Sequence, residues 1–206
     1  MQVRYATSLT SEQYVTGQAW RVATLERCPL HPEGGCGLAA HGSYPRVRPV
    51  GVRVARLLCP KAGVTISLLP DFLAAQLSGT LAEVEHAVEA VDDATSREAA
   101  AEAIRPAAAP DAVTLPSALR WLRRRLVSVR AALLAAVTLV PVLLECPPTL
   151  SAVRERLGVS ETLVALREVA AAHLGAICAP VGFRPRATRR SGRRKATPHE
   201  AGPDPP

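Results

Sequence analysis

The chain is poor in aromatic side chains, in lysine and in long apolar runs. Phe, Trp and Tyr make up 3% of its 206 residues, while apolar residues as a whole reach 48%. A core can form, but it has to be built from Ala, Val and Leu. Lysine occurs only at positions 61 and 195, so the net charge of +7 is carried almost wholly by arginine. Arginine suits phosphate, because its planar fork pairs with two oxygens at once. The same skew toward Ala, Arg, Gly and Pro also follows from GC-rich coding. The most apolar uncharged stretch, Ala131 to Leu144, contains Pro141 and falls short of the ~20 residues that cross a bilayer. It reads as a buried helix. Neither a Gly-rich phosphate loop nor a nucleophile elbow is present, and most carboxylates fall on the polar face of one predicted helix. These absences point to a binding protein and not to an enzyme.

Cysteine is present in the odd number of five. No secretory n-region, h-region and cleavage site opens the chain, so a reducing interior is expected: cytoplasmic and nucleoid-associated. Clustered cysteines there read as metal ligands before disulfides.

Charge and composition divide the chain into four. Residues 1–27 are polar and mixed, a leader or a partial strand. Residues 28–70 carry the Cys/His cluster and strand-like stretches. Between Val50 and Ala55 apolar and polar residues nearly alternate, and Val64 to Leu69 form a second apolar run that stops at Pro70. Residues 79–178 are helical. Thr80 with Glu83 makes a capping box for a helix whose apolar face is Leu81, Val84, Ala87, Val88 and Val91, with Glu83, Glu85, Glu89 and Asp92 on its polar face. Ser96 and Thr149 are further N-cap candidates. Residues 105–116 form an Ala/Pro-rich linker. From Ser117 a helix follows with Leu119, Leu122, Leu126, Val129 and Leu133 on one face. Gly158 to Ser160 make a turn, and a last helix is expected to run to about Cys178. Residues 179–206 read as a disordered basic tail, too poor in apolar residues to offset the entropy of ordering. The fold class expected is mainly α: a helical domain preceded by a small β-hairpin module.

Cys28-Pro-Leu-His31 has the spacing of a zinc knuckle, and Cys36, His41 and Cys59 lie within reach of it. A ribbon needs a ligand pair on each of two knuckles, and no ligand follows Cys59 before Val64. Two outcomes are open. Cys36 supplies the fourth ligand, giving a zinc set of Cys28, His31, Cys36 and Cys59, or the hairpin packs without metal around buried thiols. His41 reads as a partner of a backbone carbonyl, and Cys146 and Cys178 as core residues.

Together, Cys28, Pro29, His31, His41, Gly42, Tyr44, Arg46, Cys59, Pro60, Thr65 and Ser67 resemble the zinc-ribbon head that opens insertion-sequence transposases and small bacterial proteins related to them. The likeness spans roughly 28–130. It implies a zinc-ribbon-like module followed by helix-turn-helix DNA-binding helices. It departs from the pattern at the missing ligand after Cys59 and at Ile66, where the family has Phe.

The basic stretch that begins at Ser117 places Arg120, Arg123, Arg124 and Arg130 away from the leucine stripe, with no acid between positions 112 and 144. Such a face can follow a phosphate backbone or enter a major groove. It can equally be a solvated face that bonds to the acidic helix 81–92. Arg46 and Arg53, on the strand-like stretch, are further candidate DNA contacts. Leu157-Gly158-Val159-Ser160 resembles the turn of a second helix-turn-helix, although Arg154 stands where close packing wants a small residue. The function expected is DNA binding: a transposase-like or mobile-element accessory protein without its own catalytic domain, with double-stranded DNA as partner, no membrane partner, and possible self-association. The rival is a helical assembly protein that docks a partner on 131–144. A hydrolase with a degenerate metal site is a third reading.

Overall fold

A computed structural model of the chain describes residues 1–104 and 114–185. Its elements, in chain order, are β1 (Gln2–Tyr5), α1 (Ser11–Thr16), β2 (Ala39–Pro45), β3 (Arg53–Cys59), β4 (Val64–Pro70), α2 (Leu81–Asp92), α3 (Arg97–Ala103), α4 (Leu115–Leu139), α5 (Leu150–Leu157) and α6 (Thr162–Val169). Single 3-10 turns stand at Ala19–Arg21 and Ala171–His173.

The strands form one sheet in the order β1-β4-β3-β2, with β1 parallel to β4 and the other neighbours antiparallel. The architecture is therefore mixed. The expected hairpin is a three-stranded meander, joined at its edge by the segment read as a leader or partial strand. That segment is tied in by chemistry a period search does not detect. Arg4 pairs with both oxygens of Asp71, at 2.7 and 2.9 Å, and Tyr14 on α1 is fully buried.

Because side chains alternate along a strand, Ala55, Leu57 and Cys59 share one face of β3. Their register partners Leu68, Ile66 and Val64 continue that face on β4. Ala55, Leu57, Cys59, Ile66 and Leu68 form one buried cluster with Cys28 and Cys36. Tyr14, Val52, Val54, Leu69 and Leu73 form another.

The helices enclose the larger core. Thr80 and Glu83 form the expected capping box: Glu83 N–H donates to Thr80 Oγ1 at 3.0 Å, and Thr80 N–H donates to Glu83 Oε2 at 2.7 Å. Ser96 and Thr149 cap α3 and α5. Leu122, Leu126, Val129 and Leu133 of α4 are buried as their 3-4 spacing requires, and Leu119 is half-buried. Helix α4 begins two residues before Ser117, with Pro116 in its first turn, where the missing N–H costs nothing. Among the described residues, no helix is long and apolar enough to cross a membrane.

Two expectations fail near the C-terminus. The last helix ends at Val169, not near Cys178. Leu174, Ile177 and Val181, spaced like a helix face, are instead buried by a chain that turns back, with Phe183 N–H donating to Leu174 O and Arg184 N–H to Ile177 O. Residues 179–183 do not belong to a disordered tail. Val181 is fully buried, and Ala75 N–H donates to Pro180 O at 2.8 Å. The remaining tail from residue 186, with Arg186, Arg189, Arg190, Arg193, Arg194 and Lys195, lies outside the described residues, as does the linker segment 105–113.

Candidate metal centre and basic helix

Three short pieces of chain bring Cys28, His31, Cys36 and Cys59 together. Residues 28–31 form a tight turn in which His31 N–H donates to Cys28 O at 3.1 Å. Cys36 precedes Gly37, whose φ of 67° is the left-handed conformation that glycine adopts without strain. Cys59 is the last residue of β3 and faces the same cluster as Leu57 and Ile66.

One donor atom from each of the four residues lies within 4.8 Å of all the others. His31 Nδ1 stands 3.7 Å from Cys28 Sγ and 3.3 Å from Cys59 Sγ. In a tetrahedral zinc site with Zn–S of about 2.3 Å and Zn–N of about 2.0 Å, that edge is about 3.6 Å. The spacing therefore fits a single tetrahedral ion, and the four residues could hold one. None of the cysteines is in a disulfide. Cys36 is the fourth member of the cluster, and the three cysteines are also buried members of the sheet's core. His41 lies outside it, exposed on β2.

The thiols differ in their electrostatics. Burial raises the Cys28 thiol, but hydrogen bonds from His31, the Leu30 amide, Cys36 and Cys59 outweigh it and bring it down to about 7. Burial, then the neighbouring Cys28 sulfur, holds Cys36 above the usual thiol value. A thiolate is the ligating form of cysteine, so the site has one ligand close to ionised at neutral pH.

The six candidate DNA contacts fall into two groups by exposure. Arg120, Arg123, Arg124 and Arg130 are all exposed on α4, and among the described residues none pairs with a carboxylate. The acidic helix does not neutralise them. Glu85 and Glu89 of α2 turn instead to Arg154, and Glu83 is held in its capping box. Arg46 and Arg53 are half-buried and engaged. Arg46 donates to Ala74 O at 3.1 Å and to Leu77 O, while Arg53 donates to Ser43 Oγ at 2.9 Å and to Ser43 O at 3.1 Å. Both brace the structure.

Helices α5 and α6 follow one another across residues 158–161, with Gly158 at a φ of 65°. The free face of α6, however, is Glu161, Val164, Ala165 and Glu168. An acidic face repels phosphate, so this pair is poorly suited to a groove.

The list of arginines drawn from the sequence passed over Arg125. It is buried, with its guanidinium 3.4 Å from the Trp121 ring centroid and its Nη2 donating to Ser78 O at 2.9 Å. The signal was available: Arg125 stands three residues after Leu122, on the apolar stripe. Comparison of the chain with protein-family models, curated proteins and solved structures finds no match.

Proposed function

We propose that the chain is a DNA-binding protein whose N-terminal module is organised by a structural zinc ion and whose helix α4 takes up the phosphate backbone. It acts as a transposase-like or mobile-element accessory protein at the nucleoid, without a catalytic domain of its own. The observation that carries the DNA reading is the row of exposed arginines on α4, free of carboxylate partners among the described residues. Guanidinium groups so placed displace counterions from a duplex and give affinity that falls steeply with salt.

Zinc is the ion that suits three thiolates and one imidazole. That donor set makes a closed site, in which the metal holds the fold and leaves no position for substrate. The ion would tie Cys59 at the end of β3 to the two turns before β2, and so set the strand module against the rest of the chain.

The test is fluorescence anisotropy of a labelled duplex across a salt series, with the chain truncated after Pro185 so that the basic tail contributes nothing. Binding at low salt that weakens when Arg120, Arg123 and Arg124 are changed to Ala supports the reading. No binding by the truncated wild type at low salt ends it.

A second reading has one observation in its favour. Past Arg124 the free face of α4 exposes Val127 and Leu134 beside Arg130, and beyond the helix Val142 is 84% exposed. Exposed apolar side chains can mark a protein interface, and an assembly protein would use this face. Sedimentation across a concentration series checks it. A monomer at every concentration, unchanged by Leu134→Glu, removes self-association from consideration.

A further inference from the structure

A groove of about 630 Å³ runs between residues 76–78 and the first turns of α4, lined in part by Ser78, Arg120, Trp121, Arg124 and Arg125. Its wall has an unusual chemistry. The carbonyl oxygens of Ala74 and Leu77 accept from Arg46, and that of Ser78 accepts from Arg125. Two acceptors of the wall, the Leu77 and Ser78 carbonyls, are therefore already engaged by guanidinium groups. Arg125 is 4% exposed, is stacked on Trp121, and has a buried Nε with no hydrogen-bond partner. Arg120 and Arg124 stand exposed at the rim, one helical turn apart. Arg48 approaches from the β2–β3 loop, where Gly79 N–H donates to Arg48 O at 3.3 Å. Glu83, the acid that acts on Arg125, is occupied by the Thr80 amide.

Successive helical residues advance by about 100°. On α4 this puts Arg120 and Arg124 on the flank beside Trp121 and Ser78. Arg123 and Arg130 fall on the opposite flank, across the ridge of Val127 and Leu134. The exposed arginines are thus two pairs with different surroundings, and only one pair borders the groove.

We infer that the groove seats a backbone phosphate of the bound nucleic acid, held by Arg120 and Arg124 at the rim over the Arg125–Trp121 stack. The inference rests on the DNA reading above and adds the place where the phosphate docks. A fixed cationic wall positions a phosphate without reading base sequence. Arg123 and Arg130 then contribute only to the general field.

The experiment compares Arg120→Ala/Arg124→Ala with Arg123→Ala/Arg130→Ala in the chain ended after Pro185, using a labelled duplex and a salt series. Each pair removes the same charge, and all four residues are exposed, so thermal melting should be unchanged in both. The groove pair should weaken binding by about tenfold or more and lower the slope of log K against log salt by about 2, whereas the flank pair should cost about threefold or less with little change in slope. Inorganic pyrophosphate at matched ionic strength should displace the duplex from the wild type and lose that advantage over chloride in the groove variant. Equal losses for the two pairs overturn the groove while leaving DNA binding intact. Absence of binding by the unmutated chain overturns both.

Discussion

The guanidinium of Arg167, on α6, donates to the carbonyl oxygen of Pro180 at 2.7 Å in a fully buried setting. The same side chain also donates to the carbonyls of Val181, Pro70, Asp71 and Leu73. A buried cation is thus held by backbone dipoles at the junction of the sheet, α6 and the C-terminal return. The Asp71 carboxylate is engaged by Arg4 instead. Burial draws Arg167 down to about 10, which leaves it charged at neutral pH.

Removing Arg167 takes this donor from the Val181, Asp71 and Leu73 carbonyls, while those of Pro180 and Pro70 keep the Ala75 and Leu73 amides. Arg167→Leu should destabilise the fold by about 3–5 kcal/mol, the range for breaking a buried charged network. Urea denaturation followed by circular dichroism measures it. A loss near zero would mean that water replaces the guanidinium without cost.

The metal centre makes a stoichiometric prediction. Purified protein should carry about one zinc per chain, and Cys36→Ser should lower the affinity as Cys28→Ser and Cys59→Ser do. Cys36 is the informative position, because the ribbon pattern alone does not call for it. Elemental analysis with a chelator-competition titration reads the affinity, and melting before and after chelation reads the coupling to folding. Full zinc content in Cys36→Ser would remove that ligand from the set.

Acid should act on the same site. The Cys28 thiol falls from 9.0 to about 7 on folding, so its thiolate favours the folded chain. The sign follows directly: that contribution is complete above pH 9.0 and is lost as pH falls through about 7. In chelated protein, thiolate absorbance in the ultraviolet should titrate first near pH 7, with Cys36 ionising later. Zinc should be released on acidification, since protons compete for every ligand. A first thiol midpoint at the ordinary cysteine value would contradict the hydrogen-bonded cluster.

Glu85 offers a test away from the metal. Its carboxylate is 4% exposed and accepts from the Thr162 and Leu163 amides, both at 2.9 Å, at the first turn of α6. Arg154 bonds the same carboxylate at 2.7 Å. Glu85→Ala should cost about 3–5 kcal/mol, because it strips a buried partner from Arg154 and uncaps α6. Arg154→Ala should cost less, since Arg154 is half-exposed and the amides keep their acceptor. A double-mutant cycle in urea gives the coupling, and additive losses would show that the pair is not coupled.

Much of this fold is legible in particular residues. The capping box at Thr80, the caps at Ser96 and Thr149 and the leucine stripe of α4 are local. Each depends on neighbours a few positions away, where spacing and side-chain chemistry suffice. The candidate metal ligands were also legible, because Cys28, His31 and Cys36 lie close in sequence. Whether Cys36 or nothing completed the set was not legible. That depended on how two turns fold over the end of β3.

Long-range polar contacts are what periodicity could not supply. Glu85 has the spacing of a solvated face, yet the docking of α6 turns it into a helix cap. Arg4 and Tyr14 sit in a segment without a period, yet a distant Asp71 and the sheet make them structural. Residue type does not mark Arg125 or Arg167 as buried, because arginine usually lies at the surface. The sequence by itself determined the capped helices α2 and α3 and the leucine stripe of α4, which cluster can ligate a metal and which arginines face away from that stripe. The tertiary structure decided which charges are consumed inside the fold and which remain outside it. Burial of a charge is set by partners brought together from 13 to 97 positions apart, as the Arg167 contacts show, and no local pattern encodes that distance.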